Sequence, residues 1–181
     1  MKNIVLSLLI FFATFNTANA AKVKYVYDGD TFTTNGNTKV RLLNINTPET
    51  AKKNSEAEEF SMEAKKALQK MISGKNVRIS YDNVRKDKYG RNLGYIYLKD
   101  RTFVNKKMLS LGLAHLYTFP DNVKKFEELK EAENIARDKK VGIWSTERFR
   151  VLDANSKAPF AKEKFGKYQV LEGTPKEVIK I

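Results

Sequence analysis

Five short β-type runs, divided three and two by a helical stretch, constrain this chain more than any other feature. Val23 to Tyr27 is β-branched and aromatic, and reads as a strand. Asp28-Gly29-Asp30 is a turn, and Thr31 to Thr34 resumes a strand. Asn35-Gly36 then gives a strong hairpin signal, because both residues tolerate positive φ. Lys39 to Ile45 reads as the third strand, with Val40 and Leu42 on one face and Arg41, Leu43 and Ile45 on the other. Asn46 and Pro48 break that pattern. A helix is predicted from Ser55 to about Ser73, because Ser55-x-x-Glu58 reads as a capping box and Gly74 as a stop. Phe60, Ala64, Ala67, Leu68, Met71 and Ile72 share one face of it.

Strands four and five are predicted at Val77 to Tyr81 and Leu93 to Leu98. Helices follow at Val104 to Leu111 and from Pro120-Asp121-Asn122 to about Lys139, the latter with Phe126, Leu129, Ala132 and Ala136 on its apolar face. A parallel α/β sheet would need strands alternating with helices, and this order does not alternate. Three strands, a helix, two strands and two helices match a small α+β barrel of the five-stranded OB type.

The chain is 181 residues long, which suits one domain with a small appendage. Its first residues stand apart. Lys2, the apolar run Ile4 to Phe15 and Ala18-Asn19-Ala20 are the three parts of a secretory signal, so cleavage is expected between Ala20 and Ala21. That run is too short for a stable membrane anchor, and none after it is long enough to span a bilayer. The expected division is a leader at 1–20, a barrel domain at 21–147, and a tail at 148–181. Within the tail a Lys/Ala/Pro-rich linker precedes a β-hairpin pattern at Tyr168 to Gly173 and Val178 to Ile181; a frayed end is the alternative. The leader implies a secreted or periplasmic protein.

Lys and Arg number 34 against 21 acids, so polyanions such as nucleic acid, anionic lipid or wall polymers are the expected partners. There is no cysteine, which excludes a thiol nucleophile, disulfides and cysteine-based zinc sites. The single histidine, His115, excludes two-histidine phosphodiester cleavage and reads as a packed or surface residue. Hydrolysis here has to rest on carboxylates and arginines, with or without a hard metal.

Four segments carry candidate chemistry. They are Asp28-Gly29-Asp30-Thr31; Arg41 through Thr50; Asp87-Lys88-Tyr89-Gly90-Arg91 with Tyr95-Ile96-Tyr97; and Val141-Gly142-Ile143-Trp144-Ser145. Phosphodiester cleavage needs a water nucleophile, a proton acceptor, and cations around a phosphorus that gathers negative charge. A barrel that gathers Asp30, Glu49, Arg41 and Arg91 meets those needs.

In order and approximate spacing these segments resemble the staphylococcal nuclease family, over roughly Val23 to Ser145. The resemblance implies a calcium-dependent endonuclease of DNA and RNA, acting as a monomer, favouring single strands, with little sequence preference and 3′-phosphate products. By the same resemblance Asp30 matches the first calcium carboxylate, and Thr47 contributes a main-chain oxygen. Glu49 matches the general base near the attacking water, and Arg41 and Arg91 the two arginines on the reacting phosphate. Lys88 and Tyr89 match groups near the nucleotide's terminal phosphate. Tyr117 matches the platform under the base, with Phe119 beside it. Asn46 departs from the family, which usually has a second metal-binding aspartate there. An amide oxygen can ligate calcium with one charge fewer, so weaker binding is expected.

Two other readings stay open on sequence alone. One is a nucleic-acid-binding module of the same fold without catalysis. The other is a basic protein bound to envelope polymers or a membrane surface. The first is set against the retention of Asp30, Arg41, Glu49 and Arg91, and the second lacks a basic amphipathic helix.

Overall fold

A computed structural model describes residues 20–53, 55–119, 121–149, 151–153 and 170–172. The expected leader therefore lies outside the described residues, apart from Ala20. The chain runs through β1 (Ala20–Val26), β2 (Thr31–Thr34), β3 (Lys39–Leu42), β4 (Ile45–Asn46), α1 (Ser61–Ile72), β5 (Asn76–Ser80) and β6 (Asn92–Tyr97). It continues through α2 (Val104–Ser110), β7 (His115–Leu116) and α3 (Phe126–Asp138), then 3-10 turns at Gly142–Ser145 and Glu147–Phe149, and β8 (Val151–Asp153) with β9 (Val170–Glu172). Five strands close a barrel in the order β1-β2-β3-β6-β5, which is the α+β OB architecture expected. Closure depends on two long-range pairings. β3 meets β6 in parallel, with Arg41 opposite Leu93, and β1 meets β5 antiparallel.

The strands form where alternation predicts. Val26, Phe32 and Val40 are in register across β1, β2 and β3 and are buried inside the barrel. Leu42, Leu93 and Ile96 join them, as do Ala64, Leu68 and Ile72 at helical spacing on α1. A second cluster joins Ala136 of α3 to Ile143, Trp144 and Phe149, with Phe60 packed against it. Gly112 and Gly142 join α2 to that cluster by bare backbone. The Ile143 N–H donates to the Gly112 carbonyl at 2.8 Å. A Cβ on either glycine would lie 2.1 Å from a carbonyl oxygen of the opposing segment.

Several expected boundaries move, each for an identifiable reason. Helix α1 begins at Ser61, not Ser55. Its predicted capping partner Glu58 instead accepts the Glu49 N–H on Oε2 at 2.9 Å and pairs through Oε1 with Arg148 at 2.6 Å. Phe60, with φ 65°, turns the chain into the helix. Helix α3 begins at Phe126 because Asn122 is used elsewhere: its side chain bonds both backbone groups of Val84. In the β2–β3 hairpin the positive φ falls on Asn37, not on Asn35 or Gly36, as in a three-residue loop. The third strand ends at Leu42. Asn44 takes φ 60° and anchors its side-chain Nδ2 on the Tyr95 hydroxyl and the Asn122 carbonyl. The chain therefore turns at Asn44 and sends Ile45–Asn46 to pair with β7, where a strand was not expected. In the tail, Val170–Glu172 pairs in parallel with Val151–Asp153. The other half of the expected hairpin, 178–181, lies outside the described residues.

Candidate functional site

The turn between β1 and β2 places the first site residue. Asp28 Oδ1 accepts the N–H groups of Asp30 at 3.0 Å and Thr31 at 2.7 Å, so Asp28 shapes the turn. Gly29 lets it approach closely. A Cβ there would come within 2.7 Å of Ala64 on α1 and 2.8 Å of the Thr47 hydroxyl. Asp30 is thereby held beneath Thr47, whose N–H points to Oδ2 at 3.4 Å.

Arg41 is paired with Thr31 across β2 and β3, which brings its guanidinium to Asp30. Its Nη1 donates to Asp30 Oδ1 at 2.9 Å, and its Nη2 to Asn46 Oδ1 at 2.8 Å. A further bond from Nη2 reaches the Ile45 carbonyl at 3.4 Å. Asp30 is 3% and Arg41 8% exposed. Burial lifts the Asp30 carboxyl from its ordinary 3.8 to about 6; Arg41 pulls it back only in part, and Asp28 adds to the rise.

Asn46 is oriented by His115, its register partner on β7. His115 Nδ1 lies 2.9 Å from the Leu116 carbonyl, which can only accept, so Nδ1 carries the proton. Nε2 is then the acceptor for Asn46 Nδ2 at 3.3 Å. Burial lowers the His115 pKa, which favours this neutral ring. The result is that the Asn46 oxygen faces Arg41. His115 is part of the site's support, a role that nothing in its local sequence signals.

The opposite wall comes from loops. Asp87 folds the 87–91 loop by accepting the N–H groups of Tyr89 and Arg91, and its Oδ2 holds Arg91 Nε at 2.7 Å. Burial raises the Asp87 carboxyl, but the bonds from Arg91 and Tyr89 outweigh it and leave it below the ordinary range. Among the described residues the two Nη groups of Arg91 meet no protein acceptor. Tyr89 stands 71% exposed, with Lys88 and Arg91 over its ring. Asn122 and the buried Asp82 tie the segment leading into this loop, at residues 82–84, to the segment that follows Tyr117 and Phe119. Asp82 accepts from the Tyr95 hydroxyl and the Lys124 N–H, each at 3.0 Å.

Between the walls lies one open cleft of about 830 Å³. It is lined by Arg41, Asn46, Glu49, Lys88, Tyr89, Arg91, Tyr117 and Phe119. Asp30 and Thr47 do not line it; they lie behind Arg41. Glu49 reaches the cleft on the loop that Glu58 closes, and its carboxylate takes a hydrogen bond from Lys52 at 2.7 Å. Glu49 holds the Lys52 ammonium above its ordinary pKa. Tyr117 and Phe119 pack edge to face at 5.2 Å. Lys39, Lys52 and Lys86 also line the cleft; the sequence reading did not single them out. Only β3 parity marks Lys39, two residues before Arg41 on the same face.

The donor set can be tested against a hard cation. Among the described residues no trio of histidine or acidic side chains converges to hold a metal. What is present is one buried carboxylate, Asp30, with the amide oxygen of Asn46 turned toward the same guanidinium. Buried Thr47 adds a main-chain carbonyl that accepts no hydrogen bond among the described residues. An all-oxygen set with a single charge fits calcium or magnesium rather than a softer ion. Burial disfavours the charged form of Asp30, and a bound cation would offset that cost.

A family model described as staphylococcal nuclease homologue matches residues 39–146. The chain is 37% identical over 125 residues to the thermonuclease of Staphylococcus intermedius, covering 67% of this chain and 74% of that one. Against the thermonuclease of Staphylococcus hyicus it is 35% identical over 127 residues, covering 68% and 75%. The SPbeta prophage-derived endonuclease YokF of Bacillus subtilis (strain 168) is 37% identical over 123 residues, which span 65% of this chain and 41% of that protein.

Proposed function

The chain belongs to the staphylococcal nuclease family, and from that premise we propose that it is an exported, calcium-dependent endonuclease of DNA and RNA. The observation that carries this reading is the shared cleft. Arg41, Arg91, the Glu49 carboxylate and the rings of Tyr89, Tyr117 and Phe119 line the same 830 Å³ of open space, on a chain with a large excess of cations.

In this reading the strand lies in the cleft with one base on Tyr117, flanked by Phe119. Stacking of that kind contributes about 1–3 kcal/mol per base and tolerates any sequence. Arg41 uses three of its five N–H groups on Asp30, Asn46 and Ile45, leaving two that can face a phosphate. Arg91 presents its Nη edge from the other wall. Both guanidiniums are held by carboxylates before substrate arrives, so little reorganisation is needed as charge develops on phosphorus. Glu49 takes the proton of the attacking water as its oxygen bonds to phosphorus; the P–O5′ bond breaks, the departing 5′ oxygen takes a proton from solvent, and a 3′-phosphate end remains. Lys88 and Tyr89 bind the adjoining terminal phosphate. Asp30, Asn46 and the Thr47 carbonyl would hold calcium, which when bound polarises a phosphate oxygen and adds positive charge at the reacting phosphorus. A base paired in a duplex cannot reach the Tyr117 face, so unpaired regions are the preferred substrate. The mature protein acts as a monomer outside the cytoplasm, after removal of residues 1–20.

The test is digestion of single-stranded DNA and of RNA by the mature protein, with calcium, with magnesium and with chelator, beside Glu49→Ala. Cleavage with calcium that is lost in chelator, and reduced about 10²–10⁴-fold in the variant, is expected. Cleavage that survives chelation removes the metal from the mechanism. Binding without cleavage at any calcium level makes the chain a non-catalytic module.

A further inference from the structure

The outer face of the barrel carries aromatic and basic groups beyond the cleft. Across β1, β2 and β3 the inward residues are Val26, Phe32 and Val40. Their neighbours face outward in two rows. Tyr25 is opposite Thr33, and Thr33 opposite Lys39. One step along, the Tyr27 N–H bonds the Thr31 carbonyl at 2.9 Å, and Thr31 is opposite Arg41. Each row therefore starts at a tyrosine and ends at a cation that lines the cleft. Adjacent strands are about 4.8 Å apart, so Tyr27 is roughly 10 Å along the sheet from Arg41.

These tyrosines are not core residues that failed to bury. Tyr25 is 52% and Tyr27 41% exposed, and their rings meet edge to face at 4.9 Å. Lys39 Nζ lies 4.4 Å from the Tyr27 ring centre, and the Thr33 hydroxyl donates to the Tyr27 hydroxyl at 3.2 Å. Single exposed aromatics are ordinary. Two held in contact, with a cation shared between them and the cleft, form a surface continuous with it. The arrangement repeats that of Tyr117 and Phe119, again an edge-to-face pair beside cations.

We propose that Tyr25 and Tyr27, with Lys39, form a second base-stacking subsite for the same nucleic-acid strand, reached by crossing β3 and β2 from the reacting phosphate. The proposal rests on the nuclease reading for the position of that phosphate. Lys39 meets the intervening phosphate, and the tyrosine faces take a base that has left its stack. A paired base is already stacked on both sides, so the subsite engages unpaired strands only and rewards length rather than sequence.

The test measures binding of fluorescein-labelled oligodeoxythymidylates of two and twelve residues by anisotropy, in chelator so that nothing is cut. The parent is compared with Tyr25→Ala/Tyr27→Ala and Tyr25→Phe/Tyr27→Phe. The ratio of twelve-mer to two-mer affinity is expected to fall about tenfold in the alanine variant, and to stay near the parent's in the phenylalanine variant, which keeps both rings. An unchanged ratio overturns the subsite. So does an equal loss on both oligonucleotides, which locates the effect in the cleft, and so does a phenylalanine variant as impaired as the alanine one. Cleavage is scored separately. A parent that binds with this length dependence but cuts neither oligonucleotide in calcium keeps the subsite and loses the nuclease reading.

Discussion

The two arginines of the cleft are the same residue in two different settings. Arg41 is on a barrel strand, nearly buried, with Asp30 and Asn46 closed around it. Arg91 is on a loop, clipped through Nε to Asp87, with its outer edge open. One wall of the cleft is part of the core, and the other is fastened to it. Under the proposed function, an arginine in the first wall serves fold and chemistry together, and one in the second serves chemistry alone.

Arg41→Ala is the strongest way to break this contrast. It leaves Asp30 as a buried, unpaired carboxylate, so a stability loss of about 3 kcal/mol is expected in urea unfolding. Phosphodiester cleavage should fall about 10³-fold or more in the fraction that remains folded. Arg91→Ala should lose about 10²-fold in cleavage but less than about 1 kcal/mol in stability, because the ion pair it removes is partly exposed. Equal stability losses in the two variants would erase the distinction between the walls.

Asn46→Asp sharpens the contrast by adding charge on the buried side. Calcium should bind about tenfold more tightly by isothermal titration, since affinity follows ligand charge. Unchanged affinity would remove Asn46 from the ligand set. The smallest effect concerns Asp30 alone. Its carboxyl titrates at about 6 when folded, against an ordinary 3.8. Between those values the folded chain holds more protons than the unfolded one. The stability from this group is therefore complete below the ordinary value and lost as pH rises through 6. In chelator the chain should gain about 1 kcal/mol between pH 7.5 and 5 that Asp30→Asn does not gain. Unfolding midpoints that move in parallel would refute the burial argument.

The barrel was legible because its evidence is local. Val40 and Leu42 alternate with Arg41 on β3, and no distant partner is needed to read that. The motif residues were named from four short segments and the family resemblance they carry, and most of them line one cleft. What escaped depends on contacts far apart in the chain. Glu58 and Asn122 both carry helix-start chemistry, but each spends its side chain elsewhere, on Glu49 and on Val84. Polar side chains with more than one available partner make local signals ambiguous, and tertiary geometry decides among them. His115 is the extreme case. Its role comes from a two-residue strand that Asn44 creates by turning the chain.

The glycine pair that joins α2 to the final turn has a consequence for anyone who selects variants by lost nuclease activity. Gly112 and Gly142 do not line the cleft, but any side chain at either position drives two backbones apart. Substitutions there would be collected alongside those at Arg41 and Glu49, and a map of inactive positions would show a false second centre behind the barrel. Growth at lower temperature would tell the classes apart, because a weakened joint can recover in the cold and a missing catalytic group cannot.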